Sequence, residues 1–376
     1  MSKVARKIDL GISVYPEAND RFCEQKNYIA LAKLQGYSQI FSTLHLPELP
    51  LESMLEYARN LSSVVTEHQM QLTLDVSATK VREIAQAESY INKIKDTSID
   101  YIRLDYGFTE HDLKLLKDCL NVNGLVLNAS TLSASEIDDF LEIITKAGFD
   151  MRNLKACHNF YPREETGLSM EFLIQKCQLY KKYNIPVTTC IASHTKPRGP
   201  LYAGLPSVEK QRYSSPGRAA AELMATGVVD EILFGDSFVS AEELSEVAAV
   251  IDSGCVELRI KMLSNKITEM ERAIIVEQLH LARPDQAEFS IRSQSSREMA
   301  SFAARVEARS PEPRIKYAVT IDNEKYLRYS GELQILLADL PEDERINVVG
   351  HIVSEDHDLV HMIKPGTTFR FQVVDE

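Results

Sequence analysis

The chain has 376 residues, 44% hydrophobic and 26% charged, which is globular composition and argues against disorder, collagen or coiled coil. Its net charge of −13 has the wrong sign for a sequence-independent nucleic-acid binder. The start MSKVARKIDL lacks an apolar signal core and no run of 18 apolar residues occurs, so a soluble cytoplasmic protein with no membrane partner is expected.

Apolar runs rich in Val, Ile and Leu recur along the first 250 residues, at 8–15, 39–45, 71–77, 101–107, 124–130, 153–160, 186–193 and 231–237. Segments of helical period separate them, near 23–36, 51–69, 80–95, 110–119, 135–147, 169–184, 216–226 and 240–251. In the segment near 135–147, Ser133 or Ser135 can cap the start and Gly148 can end the helix. Parallel strands need crossovers, and eight β-α units fit a closed (β/α)8 TIM barrel over residues 1–254. No G-x-G-x-x-G follows the first strand, which argues against an open dinucleotide-binding sheet. From 255 to 376 apolar and polar residues alternate with period two. Strand-like runs lie at 256–263, 314–321, 331–340, 347–353 and 367–374, with a helical stretch at 267–278. This predicts a small, mostly antiparallel β domain. His357 and His361 fall in strand-like sequence without a glutamate partner and are expected to be solvated.

Each of the eight runs begins apolar and ends polar: Tyr15 to Glu17, His45, Asp75 to Ser77, Asp105, Asn128 to Ser130, His158 and Asn159, Ser193 and His194, Asp236 and Ser237. Active sites of this barrel sit at the C-terminal strand ends, so these residues are candidates. The stretch 157–169, CHNFYPREETGLS, gathers His158, Asn159, Tyr161 and Arg163 as polar ligands. The segment 194–218 holds Lys196, Arg198, Lys210, Arg212 and Arg218 against one acid, Glu209, within a long Pro- and Gly-rich loop. A loop of that length after the seventh strand is a candidate anion site, with Arg198, Gly199 and Arg212 reading a phosphate.

There is no G-x-S-x-G, P-loop or C-x-x-C, and Lys155 has no evident activating partner for imine chemistry. Acid–base work by carboxylates remains, with Asp75, Asp105, Glu209 and Asp236 as the pool. Arg103 lies two residues before Asp105 on one strand face, so it is expected to keep Asp105 ionised as nucleophile or base. Glu209, on a loop that could close, is the candidate acid. Asp75 and Asp236 are reserves, more suited to accepting sugar hydroxyls, with Tyr15 and Asn128 beside them. No cofactor and no metal are expected.

The segments GISVYPE, LDVS, RLDYG, LNAS, CHNFYPR with TGLS, RGPLYAGLPSVEKQR and FGDS together resemble one bacterial family, known first as "outer surface protein" and associated with 6-phospho-N-acetylmuramidase activity. The resemblance runs along nearly the whole chain. It implies a TIM barrel joined to a cyclophilin-like β barrel. It also implies a cytoplasmic glycosidase of cell-wall recycling that cleaves between N-acetylmuramic acid 6-phosphate and N-acetylglucosamine. The implied partner is a phosphorylated amino-sugar disaccharide; homo-oligomerisation stays open. A sugar-phosphate isomerase, epimerase or aldolase on the same barrel is the alternative, as is a binding role for the β domain.

Overall fold

The computed structural model describes residues 8–17, 21–105, 107–120, 122, 124–263, 267–298 and 306–374. Its first compact unit comprises residues 1–220 and 228–252. Strands β1 (Asp9–Ser13), β2 (Gln39–Thr43), β3 (Gln71–Val76), β4 (Tyr101–Leu104), β5 (Gly124–Asn128), β6 (Leu154–Cys157), β7 (Val187–Ile191) and β8 (Glu231–Phe234) pair in parallel in chain order and close into a barrel. Closure is through β1 and β8, with Asp9 opposite Glu231. The strands stop earlier than the apolar runs, so the polar residues that end each run lie at the strand tips or just beyond them.

The crossovers are α1 (Phe22–Leu34), α2 (Leu51–Glu67), α3 (Ala78–Ala85), α4 (Glu88–Lys95), α5 (Glu110–Cys119), α6 (Ala134–Lys146), α7 (Met170–Lys181) and α8 (Pro216–Thr226), and α9 (Ala241–Ser253) follows β8. Ser133 caps α6, in a capping box with Glu136, and Gly148 follows with φ +84°. The single helix expected near 80–95 is two. Ala87 is extended (φ −129°, ψ 118°) between them. An unbroken helix would bring Glu88 into line with buried Val81 and Ile84, and the break leaves Glu88 exposed.

The second unit comprises residues 221–227 and 253–376. Here β9 (Val256–Met262), β10 (His280–Leu281), β11 (Ser290–Arg292), β12 (Ala318–Asp322), β13 (Leu333–Leu336), β14 (Ile346–Ile352) and β15 (Thr368–Val373) form a sheet in the order β10-β15-β9-β14-β12-β13-β11. All neighbours are antiparallel except β15 and β9. One bridge, Ala282 to Ser293, links the residues just beyond the two edge strands. The short strands β10 and β11 carry too few residues for an alternation to show in sequence. Helix α10 (Glu269–Val276) lies where the helical stretch predicts it. His357 and His361 correct the strand reading: they sit on helix α11 (His357–Met362), one turn apart. Both rings lie against Tyr317, His357 stacked at 3.5 Å between centroids and His361 accepting or donating at Tyr317 Oη, 2.8 Å away.

Low in the barrel, Lys155 Nζ reaches Gln39 Oε1, Gln71 Oε1 and Glu231 Oε2 at 3.2–3.3 Å, and its ammonium lies 4.5 Å from the Tyr101 ring centroid. The amine is thus part of the barrel's packing. Burial pushes the Glu231 carboxyl above its ordinary range while Lys155 opposes the rise. Removing the lysine leaves an enclosed carboxylate without its cation. Lys155→Met should cost about 3 kcal/mol near neutrality. A carboxyl whose folded pKa is raised loses stability as pH rises, so the deficit should be smaller at pH 5 than at pH 8. Thermal melts of both proteins at the two pH values check this; an equal deficit at both would contradict it.

Candidate active site

At the C-terminal mouth of the barrel the register of β3 and β4 places Asp75 opposite Arg103. Arg103 is 7% exposed. Its Nη1 donates to Asp75 Oδ1 at 2.8 Å and its Nη2 to Asn159 Oδ1 at 2.5 Å. Burial works against this cation, and Asp75 more than offsets it, so the guanidinium pKa stands above its ordinary value. Asn128 Nδ2 also donates to Asn159 Oδ1, at 3.1 Å, while Asn128 Oδ1 accepts the Ser130 amide at 3.0 Å. The Asn159 backbone is fixed too: its N–H donates to Ser130 Oγ and its carbonyl accepts Ser207 Oγ, both at 2.9 Å. The predicted pairing of Arg103 with Asp105 is therefore corrected. The guanidinium turns across the sheet to the neighbouring strand. The half-buried Asp105 carboxylate has no hydrogen-bond or ion-pair partner among the described residues, although its charge is felt at Arg103.

Four other expectations are corrected by what the side chains touch. His158 is 1% exposed and faces away from the barrel interior, its Nδ1 3.2 Å from Ser130 Oγ and its Nε2 3.4 Å from Cys177 Sγ on α7. Burial, with Lys176 and Arg103 nearby, lowers its pKa to about 3. Both ring nitrogens of this enclosed imidazole are thus taken up by protein partners, although the residue also borders the cavity lined by Asp75 and Arg103. Glu209 is not poised as an acid. Its carboxylate accepts the Glu165 and Gly167 amides at 2.8 and 2.7 Å and Arg212 Nε and Nη2 at 2.7 and 2.6 Å. The Arg212 fork above all, against some burial, holds its pKa at about 2. Arg212 is no phosphate reader. It is 1% exposed, and its remaining N–H groups reach the carbonyls of Ala203, Gly204 and Arg163. All five donors are spent inside the protein. Asp236 is fully buried and accepts the amides of Ser193, Arg198 and Leu205 at 2.8–3.1 Å, so it shapes the loop and does not bind sugar hydroxyls.

A residue absent from the sequence candidates shares that task. Glu243 caps α9 from its first turn with Ser240, a Ser-x-x-Glu box legible in sequence. It also accepts Ser193 Oγ, the His194 amide and Thr195 Oγ1 at 2.7–2.8 Å, a long-range reach that spacing does not reveal.

Arg198 differs from Arg212. Its backbone amide is tied to Asp236, yet its guanidinium has no anionic partner among the described residues and lies over the Tyr15 ring, Cζ 3.5 Å from the centroid. Tyr15 is held in turn by its hydroxyl, which donates to the Gly235 carbonyl at 2.9 Å. It packs with Phe41, Cys190 and Leu233, with Phe160 against them. Gly199 follows Arg198 closely against Tyr202; a Cβ there would lie 3.0 Å from the Tyr202 hydroxyl. Tyr161 is half-buried and anchored by its amide to the Pro206 carbonyl, and the Arg163 side chain is exposed. Below them a cavity of about 80 Å³ is lined by Asp75, Arg103, Asn159, Phe41, Phe160, Cys157, Cys190 and Leu233, with His158 contributing to its edge.

The Glu209–Arg212 clamp should carry stability. Glu209→Ala leaves a buried guanidinium unpaired and should cost about 3–5 kcal/mol at pH 7. A carboxyl depressed to about 2 stabilises above its unfolded pKa near ~4.3 and loses that contribution as pH falls toward the folded value. Urea unfolding at pH 7 and pH 3 should therefore show a gap from the parent protein that narrows at the lower pH. A constant gap would contradict the assignment.

The N-terminal model of the 6-phospho-N-acetylmuramidase family matches residues 10–249, and its C-terminal model matches residues 256–372. None of the curated proteins matches the chain. Among solved structures, an uncharacterized B. cereus protein is 28% identical over 97% of this chain and 99% of its own, with a TM-score of 0.79. A conserved Enterococcus faecalis protein of unknown function is 28% identical over 97% and 96%, with a TM-score of 0.66. With both family models accounting for the two units in order, the chain belongs to the 6-phospho-N-acetylmuramidase family, a family of glycosidases.

Proposed function

We propose that the barrel hydrolyses the bond between N-acetylmuramic acid 6-phosphate and N-acetylglucosamine in a phosphorylated disaccharide, in the cytoplasm, during peptidoglycan recycling. The observation that carries the reading is the pair of carboxylates at adjacent strand ends. Asp75 is ion-paired with Arg103, and Asp105 is left without a partner among the described residues. Glycoside cleavage needs one carboxyl to deliver a proton to the leaving oxygen and another to meet the charge that develops at the anomeric centre. Asp105, with no partner to hold its proton or its position, takes the first role. Asp75, fixed by Arg103, takes the second. Of the two arginines read as phosphate ligands, Arg198 keeps its guanidinium without an anionic partner among the described residues, while Arg212 is consumed by Glu209. The enclosure of Lys155 among Gln39, Gln71 and Glu231 speaks against the aldolase alternative. Every group in this proposal comes from the barrel, so the C-terminal domain, residues 255–376, is assigned an auxiliary role.

Incubation with the 6-phosphorylated and unphosphorylated disaccharides, read by mass spectrometry, tests the reaction. The phosphorylated one should be split and the other spared. Arg198→Ala should raise KM for the phosphorylated disaccharide by roughly ten- to hundredfold, the loss of one charge-assisted pair of about 1.5–3 kcal/mol, with the fold unchanged by circular dichroism. An unchanged KM would place the phosphate elsewhere.

A further inference from the structure

The amide of Asn159 has a determined orientation. A guanidinium only donates, so the Asn159 atom facing Arg103 Nη2 is the oxygen, and Asn128 Nδ2 donates to the same atom. Asn159 Nδ2 is thereby turned away from both, and no described residue accepts from it. Asp75 is in the complementary state. Its Oδ1 takes Arg103 Nη1, and its Oδ2 has no donor among the described residues. One fixed donor and one fixed acceptor, held by the same guanidinium, thus belong to two residues that line one cavity. The rest of its wall is apolar or sulfur-bearing, Phe41, Phe160, Cys157, Cys190 and Leu233, apart from the enclosed His158. Its volume, about 80 Å³, is roughly half that of an apolar protein cavity of ~150 Å³ that admits benzene. That volume suits a group of a few heavy atoms.

We propose that this cavity is the subsite for the 2-acetamido group of the muramic residue and that the group itself is the nucleophile, with Asp75 accepting its N–H and Asn159 holding its carbonyl oxygen. The proposal rests on the glycosidase reading above. The methyl lies against the cysteines and phenylalanines, and the ring stays above at the level of Tyr15. The acetamido oxygen attacks C1 as the C1–O bond to N-acetylglucosamine breaks, and Asp105 gives its proton to the departing oxygen. The positive charge of the resulting oxazolinium ring is spread over its nitrogen, whose N–H faces the Asp75 carboxylate. Water then adds to C1 from the vacated side and returns a proton to Asp105, and the C1–O bond of the ring opens to regenerate the acetamido group. Two displacements at C1 retain its configuration.

The test is a series of 6-phosphorylated disaccharides whose muramic N-acyl group carries zero, one, two or three fluorines, with the first-formed anomer read by proton NMR. The unmodified enzyme should give the retained anomer, and kcat/KM should fall with each fluorine, because fluorine drains the attacking oxygen. Asp75→Asn should lower kcat by about 10²-fold or more while KM moves little. If that variant fails to fold, the fluorine series on the parent enzyme still decides. An inverted first product, or turnover indifferent to fluorine, overturns the acetamido mechanism while leaving the glycosidase reading intact. No cleavage of the unfluorinated disaccharide overturns both.

Discussion

A guanidinium enclosed by protein must be matched on each of its edges, and the mouth of this barrel is arranged around one. Arg103 enters from the fourth strand and is met by Asp75 from the third and Asn159 from beyond the sixth. The strand register sets the first contact, since Asp75 and Arg103 are paired across the sheet. The second requires the chain after β6 to be held, and Ser130 and Ser207 hold it from either side. Losing the cation would leave the Asp75 carboxylate with no partner among the described residues and the Asn159 oxygen with Asn128 alone. The ion pair's worth is therefore geometric more than energetic, because the enclosure of two charges offsets much of their attraction.

The long segment after β7 obeys a related constraint. A loop lying against a barrel carries backbone N–H groups that need acceptors. Carboxylates supply them: Asp236 takes three of its amides, Glu243 takes the His194 amide together with two hydroxyls, and the half-buried Glu209, itself on this segment, takes Arg212 and two amides of the loop after β6. At Gly235 the approach is so close that a Cβ would stand 2.4 Å from the Leu205 carbonyl. Acids that resemble catalytic equipment in sequence are thus the internal ligands of a loop. What they fix in place is Arg198, whose amide is one of those Asp236 holds.

The barrel was legible because its signal repeats. Eight apolar runs with eight helical segments leave few ways to close, and each polar run-end falls at or beyond a strand tip. The site was legible only as a region. Asp75, Asp105 and Asp236 look alike in sequence, each an acid late in an apolar run. Their separation into acids left open at the mouth and acids that hold a loop depends on neighbours from other strands. Period two places Arg103 and Asp105 on one face, but the cross-strand register that hands Arg103 to Asp75 is a tertiary fact. The cationic loop misled for the same reason. Charge counting cannot tell Arg212, spent on Glu209 and three carbonyls, from Arg198, which keeps its guanidinium open. His158 was drawn in by its neighbours Asn159 and Tyr161, although alternation turns it to the opposite face from Cys157 and Asn159.

Sorting polar groups by what remains unsatisfied gives a sharper criterion than counting them. A half-buried donor or acceptor that lacks a protein partner gives up hydration it does not recover until a ligand arrives. In this mouth the satisfied groups, Glu209, Arg212, Asp236, Glu243 and His158, are those whose hydrogen bonds define the shape. Among the described residues, Asp75 Oδ2, Asp105, Asn159 Nδ2 and the Arg198 guanidinium have no hydrogen-bond partner. One acceptor and one donor flank a small apolar cavity, a second carboxylate stands nearby on the adjoining strand, and a cation lies across an aromatic ring. That distribution is asymmetric in the way an amino sugar is, with an amide on one carbon, an acid-labile bond beside it and a charged group further off. Arg103 keeps Asp75 and Asn159 in place before a ligand binds, and Tyr15 backs Arg198, so for these groups the ordering cost falls on folding and not on the transition state.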